Sequence, residues 1–250
     1  MSIPFISLIT PVLNEHDTLQ QTLDSVLSQS VAPFEHIIVD SGSTDGSLDI
    51  IADYIARAPY SVKLVQTPAE GVYAALNEGN RRAEGEIIGL LHGDDFFSST
   101  HVLEFVSAAF SRQPDIDLIY GDVHYVNKHG ARTRYYSGAH FRPETLLQGF
   151  AFPHPSMYIR RELWEKIGTY DTGLRIAADY EWAVRATLIN KANTLYLPLD
   201  MVAMHEGGLA FQWTNRFFRH IPERRKALKQ NGLKAPMLRL LGRYMYLFRH

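Results

Sequence analysis

Short apolar runs alternate with segments of helical period through the first half of the chain. The runs fall at 5–10, 36–40, 62–66, 86–92 and 118–121 and read as buried strands. Segments 18–29, 47–57, 72–83 and 100–111 place apolar residues three and four apart and read as amphipathic helices. This alternation predicts a mainly parallel, doubly wound α/β sheet. Right-handed crossovers then bring the strand tips to one face. From Asp122 the pattern changes. Runs 124–126 and 133–136 flank Asn127-Lys128-His129-Gly130 and predict a hairpin. Helices are expected at 143–148, 161–167 and 179–188, and short strands at 156–159, 194–196 and 201–204. Two tail helices are expected at 215–230 and 236–248. No repeat or linker divides the chain, so its second half is expected to pack on the first.

Composition narrows the class. A length of 250 residues suits one large domain or two small ones. The absence of cysteine excludes disulfides and thiolate metal sites and suits a reducing compartment. The first residues lack the basic region of a secretory signal, and no run approaches the ~20 apolar residues of a membrane span. A cytoplasmic protein is expected. The net charge of −2 hides an asymmetry. Residues 214–250 hold ten Lys or Arg and one acid, Glu223, whereas residues 1–213 hold 15 bases and 26 acids. The chain is therefore read as a body, 1–213, and a basic helical extension, 214–250. In the extension, Leu238, Leu241, Met245 and Phe248 recur at helical spacing among Arg239, Arg243 and Arg249. Such a helix can lie on an anionic membrane surface, at the inner face of the plasma membrane, or pack on its own domain or in a homodimer. The acidic body and the absence of a binding motif argue against nucleic acid.

Four segments carry candidate chemistry. The run Ile87-Ile88-Gly89-Leu90-Leu91 ends in His92-Gly93-Asp94-Asp95. Carboxylates at a strand tip sit where open α/β sheets bind ligands. Adjacent aspartates repel unless a cation intervenes, and a divalent ion bridging to a diphosphate is one such partner. The alternative is that Asp94 and Asp95 cap the helix near Ser99. Thr10-Pro11-Val12-Leu13-Asn14-Glu15 closes the first strand, with Pro11 expected at its end. Asn14 and Asp17 can cap the next helix, or the segment can form a shelf for a nucleobase or ribose. Asp40 ends the second strand, where a buried carboxylate needs a partner, and Asp45 is expected to cap the following helix. In Glu70-Gly71-Val72-Tyr73-Ala74-Ala75-Leu76-Asn77-Glu78-Gly79, small residues let a helix approach the sheet or a ligand. Asp179, in Ile176-Ala177-Ala178-Asp179-Tyr180-Glu181, is either a helix cap or a general base; Glu181 should point elsewhere. His205, before Gly207-Gly208, and His154, between two prolines, are candidate ligands for Mn²⁺ or donors to phosphate.

In this order, TPVLNE, VDSGSTDGS, GVYAALNEGNRRAEGEIIGLLHGDD and FPHPSMYIRRELWEKIGTYDTGLRIAADYEW resemble the family 2 glycosyltransferases of the GT-A fold, over residues 4 to 208. The resemblance implies an inverting transferase that moves one sugar from a nucleotide-diphosphate sugar to a hydroxyl. UDP is the default nucleotide, with GDP and dTDP open. The acceptor would be a glycan or a polyprenyl-diphosphate-linked oligosaccharide, as in bacterial surface-polysaccharide synthesis. It assigns Thr10, Pro11, Asn14, Glu15, Asp40, Gly71 and Asp94 to the donor, with Asp40 facing the base. Asp95 and His205 would hold Mn²⁺ or Mg²⁺, and Asp179 would be the catalytic base. Two positions depart from the family pattern. Ala178 stands where many relatives carry a second acid, and Gln212-Trp213-Thr214-Asn215-Arg216 replaces the Gln-x-x-Arg-Trp motif of the processive synthases. Addition of a single sugar is therefore expected. The competing expectation is a relative that keeps the fold and binds nucleotide or carbohydrate without turnover. A glycine-rich loop after the first strand, as nucleotidyltransferases and dehydrogenases require, is absent.

Overall fold

A computed structural model of the protein describes residues 5–206, 220–234 and 240. The predicted helix at 236–248, apart from Leu240, lies outside these residues, as do Gln212–Arg216 and Gly207-Gly208. No helix among the described residues is long and apolar enough to cross a membrane.

Four parallel strands form the heart of the sheet: β1 (Ile6–Val12), β2 (Glu35–Asp40), β3 (Ser61–Gln66) and β4 (Ile87–Leu90). Their spatial order is β3-β2-β1-β4, and the connecting helices are α1 (His16–Leu27), α2 (Ser47–Arg57) and α3 (Val72–Arg82). Every residue of β1, β2 and β4 is buried, whereas β3, buried only at Val65, forms the edge. The strand and helix positions match the hydrophobic pattern closely, and α2 matches it residue for residue.

The second half extends this sheet rather than building another. β5 (Asp95–Phe97), α4 (Val102–Arg112), β6 (Leu118–Val126) and β7 (Arg132–Tyr136) follow. Next come 3₁₀ turns Pro143–Gln148 and His154–Ser156, β8 (Tyr158–Arg160), α5 (Arg161–Ile167) and α6 (Ala178–Ala183). A π-turn (Val184–Ile189) continues α6, and β9 (Thr194–His205) and α7 (His220–Gln230) complete the order. The full sheet runs β3-β2-β1-β4-β8-β6-β9-β5, with β7 paired to β6. β8 inserts antiparallel between β4 and β6, so the sheet is mixed beyond β4, while β6, antiparallel to β8 in turn, keeps the direction of the parallel set. A mixed sheet of this order with flanking helices is the architecture that the resemblance implies.

Pro11 lies inside β1 and not at its end. Its nitrogen faces the β4 side, beyond the last ladder pair Ile9↔Leu90, so no ladder bond is lost. α3 sits close against β1 because Gly79 has no Cβ; an added one would lie 2.4 Å from the Ile9 Cγ2. α7 is buried through Ile221, Ala227 and Leu228 in the same apolar cluster as Trp182 and Leu146. The first part of the basic extension is thereby packed on the body.

Candidate active site

The loops after β1, β2 and β4 meet side by side. β1 pairs with β2 to its last residue, Val12↔Asp40. The chain leaving β4 continues along β1, with Leu91 N–H donating to Ile9 O (3.0 Å) and Gly93 N–H to Pro11 O (3.3 Å). The Thr22 and Thr18 hydroxyls of α1 hold the Gly93 carbonyl at 2.9 and 3.2 Å. Asp95 then opens β5, paired with Met204 of β9. The carboxylates therefore do not cap a helix: α4 starts only at Val102 and has no side-chain cap.

A cavity of about 810 Å³ opens over these tips. Pro11, Glu15, Gly71, Asp94, Asp95, Asp179 and His205 all line it. Gly71 adopts φ 98°, a backbone state that favours glycine, at the start of α3. Thr10, Asn14 and Asp40 are not among the residues that line the cavity. Thr10 is fully buried and its hydroxyl bonds the His36 ring at 2.8 Å, on the core side of the strand. Asp40 is also fully buried and turns back on its own loop, accepting from Gly42 N (3.1 Å) and Ser43 N (3.2 Å). Asn14, at φ 56°, joins the two loops: its side-chain oxygen accepts from Thr44 N (2.9 Å), and its N–H donates to the Ser43 hydroxyl (2.9 Å). Neither Asn14 nor Asp17 caps α1. Asp45 instead receives His16 N–H at the start of α1 and Ser47 N–H at the start of α2, satisfying two helix starts at once.

The acidic group is electrostatically unbalanced. Burial, then Asp94, then Glu15 push the Asp95 carboxyl well above the usual range. Burial and Asp94 push Glu15 up to about 7. No donor or cation among the described residues relieves Asp95. His205 gives its Nδ1 to the Asp94 carbonyl at 2.6 Å. If that nitrogen carries the proton, Nε2 is left as a lone pair, the arrangement that orients metal-binding imidazoles. Among the described residues, no three His, Asp or Glu side chains converge as a ready cation cage. The donor set nonetheless fits a hard divalent ion, for which one or two carboxylates plus substrate phosphates suffice.

Asp179 stands on the first turn of α6, half-buried, with Oδ1 3.1 Å from the Tyr73 hydroxyl. Burial and the Asp179 charge hold Tyr73 well above its ordinary pKa, so it acts as a neutral donor. Glu181 points away, as expected, into an ion pair with Arg185 at 2.8 Å. His154 also reaches the cavity. Its Nε2 lies 2.9 Å from the Tyr170 hydroxyl, and burial lowers its pKa to about 4, so it is neutral near pH 7. Sequence reasoning missed Tyr73, Thr18 and Thr22, as well as Arg134 and Arg175 of the cavity lining. The helical period of α3 gave Tyr73 the same signal as a core residue. Arg134 lies outside every acidic or glycine-rich motif, and Arg175 opens the Asp179 segment with no role assigned to it.

Known proteins are similar to this chain in sequence and in fold. The family described as Glycosyl transferase family 2 matches residues 7–176. A PGL/p-HBAD biosynthesis glycosyltransferase of Mycobacterium bovis is 31% identical over 211 residues, 84% of this chain and 80% of that one. Glycosyltransferase AglE of Haloferax volcanii is 27% identical, covering 82% and 67%. Among solved structures, S. aureus TarS 1-349 superposes with TM-score 0.71 at 18% identity, over 97% of this chain and 72% of that chain. Mannosyltransferase PcManGT from Pyrobaculum calidifontis, in complex with GDP-Man and Mn²⁺, gives 0.66 at 21%, covering 94% and 67%.

Proposed function

Because the chain belongs to glycosyltransferase family 2, we propose that it moves one sugar from a nucleotide-diphosphate sugar to a hydroxyl of a glycan or lipid-linked acceptor, with inversion. One observation carries this reading: a single cavity holds both an uncompensated carboxylate group, Glu15, Asp94 and Asp95, and a separately held carboxylate, Asp179.

Asp179 takes the acceptor proton. Tyr73 occupies Oδ1, which leaves Oδ2 to accept from the hydroxyl. As that proton moves to Asp179, the acceptor oxygen bonds the anomeric carbon. The bond from that carbon to the diphosphate breaks, and its electron pair leaves with the phosphate. Asp95 and His205 would hold Mn²⁺ or Mg²⁺, which when bound supplies Lewis-acid stabilisation of the leaving diphosphate. Asp94, Glu15, Pro11 and Gly71 shape the donor side of the cavity. Asp40 and Asn14 act one step back, by fixing the loop 41–46. UDP is the nucleotide of this reading, supported by the fold shared with TarS, whose structures include complexes with UDP and UDP-GlcNAc. The PcManGT complex with GDP-Man keeps GDP as the second choice.

Replacing Asp179 with Asn tests the assignment. It removes the base while preserving shape, so transfer should fall by ~10²–10⁴-fold. Nucleotide affinity should stay near wild type. Undiminished nucleotide release from UDP-sugars by the variant would remove Asp179 from the role.

A further inference from the structure

We infer that Glu223 of α7, outside the segment matched by the family, is a positioning residue for transfer: it fixes the backbone from which Asp179 projects. The inference rests on the reading of Asp179 as the base.

The helix that carries Asp179 has no cap of its own. Its first flanking residue is Ala177, whose methyl group can accept nothing, and no side chain from the adjoining segment caps it. A helix start leaves backbone N–H groups that need acceptors. Glu223 supplies one from 46 residues further along the chain. Its Oε2 accepts from both Ile176 N (2.8 Å) and Ala177 N (3.0 Å). A carboxylate here also suits the positive end of the helix dipole.

The same peptide is gripped from the other side. The Tyr73 hydroxyl lies 3.0 Å from the Ile176 carbonyl and 3.1 Å from Asp179 Oδ1, so its one proton is shared between the loop and the base. Glu223 holds the N–H of Ile176 while Tyr73 holds its C=O. Asp179 follows three residues later. If the Glu223 contact is lost, the loop can move relative to Tyr73, and the carboxylate moves with it. Misplacement of a reacting group by about 1 Å can cost 10²-fold in rate.

α7 is anchored well enough to serve as a reference. Ile221, Ala227 and Leu228 are buried in the core cluster. Arg224 Nη1 donates to the Gly149 carbonyl at 2.7 Å, and its guanidinium lies 5.1 Å from the Tyr180 ring centre. Asn231, just past the helix, bonds Glu181 of α6 at 2.9 Å. His220 and Arg224 also line the cavity, so α7 is both wall and clamp.

The test compares Glu223→Ala, Glu223→Gln and Leu228→Ala in the full chain. The readouts are the kcat and KM for nucleotide release from UDP-glucose, UDP-GlcNAc and GDP-mannose, UDP affinity, thermal midpoint and amide exchange at Ile176 and Ala177. Glu223→Ala should lower kcat by roughly 10–100-fold. UDP affinity should stay within about 2-fold, because Glu15, Asp94 and Asp95 stand on other loops. Exchange at the two amides should accelerate. Glu223→Gln keeps an acceptor oxygen and should recover most of kcat. Leu228→Ala loosens α7 without removing an acceptor. At a matched thermal midpoint it should leave kcat closer to wild type than Glu223→Ala does. Wild-type kcat in Glu223→Ala, an equal loss in Glu223→Gln, or parallel loss of kcat and UDP affinity would each overturn the inference. If the wild type turns over none of the three donors and binds none of UDP, GDP and dTDP, the functional reading fails. Unchanged exchange in Glu223→Ala is a different failure, which removes the clamp itself.

Discussion

His36 lies fully buried between two hydroxyls, with Nε2 2.8 Å from Thr10 Oγ1 and Nδ1 2.6 Å from the Tyr54 hydroxyl. The Tyr54 hydroxyl passes the chain on to Tyr60 at 2.7 Å. Burial pushes the His36 pKa down to about 3, so the native ring is neutral, whereas an unfolded chain protonates it near 6.5. Its contribution to stability is complete above pH 6.5 and is lost as pH falls from there toward 3. The advantage of wild type over His36→Gln should therefore shrink by about 1.4 kcal/mol per pH unit below pH 6. Urea unfolding of both proteins at pH 7 and pH 5 checks this; a constant gap would contradict it. The same chain gives Thr10 a partner that the sequence does not show, a histidine on the neighbouring strand, because the pairing is visible only once β1 and β2 are in register.

Elements legible from periodicity alone formed as expected where both faces of the sheet are covered. α2 and α5 coincide with their predicted spans, and the four parallel strands lie within a residue or two of theirs at most ends. Elements whose limits depend on tertiary pairing were not legible. β6 runs unbroken through Gly121 and Asp122, where the pattern stopped, because β9 pairs along it with shifts in register. β9 in turn passes through Pro198, which falls in the irregular stretch where a missing N–H costs no ladder bond. β5 has only three residues and forms because β9 is there to pair with it. The site divides in the same way. Acidic motifs flag Asp94, Asp95 and Asp179, but not the tyrosine bonded to Asp179 or the threonines bonded to the Gly93 carbonyl, which share the spacing of core residues. α3 shows how close the packing is. Gly79→Ala would press its new methyl group into Ile9 and should destabilise the protein by ~1–3 kcal/mol. A drop in the urea midpoint at constant slope would register this; an unchanged midpoint would mean that α3 can shift away from β1 freely.

At the scale of the molecule, one sheet joins two jobs. Its parallel half ends in the loops of Glu15, Asp94 and Asp95, and its mixed half brings His205 of β9 beside them and carries the packing on which α6 presents Asp179. Burial and the neighbouring Asp94 raise the proton affinity of Glu15 and Asp95, with no cation among the described residues to balance them. A cation-linked diphosphate would complete such a site. Calorimetry of the full chain against UDP, GDP and dTDP, each with Mn²⁺ and with EDTA, tests this most directly. Tight binding of one nucleotide, with UDP first, that disappears in EDTA is the predicted result. Nucleotide binding of equal strength with and without the metal would contradict the role given to Asp95 and His205, and no binding of any nucleotide would contradict the donor site as a whole.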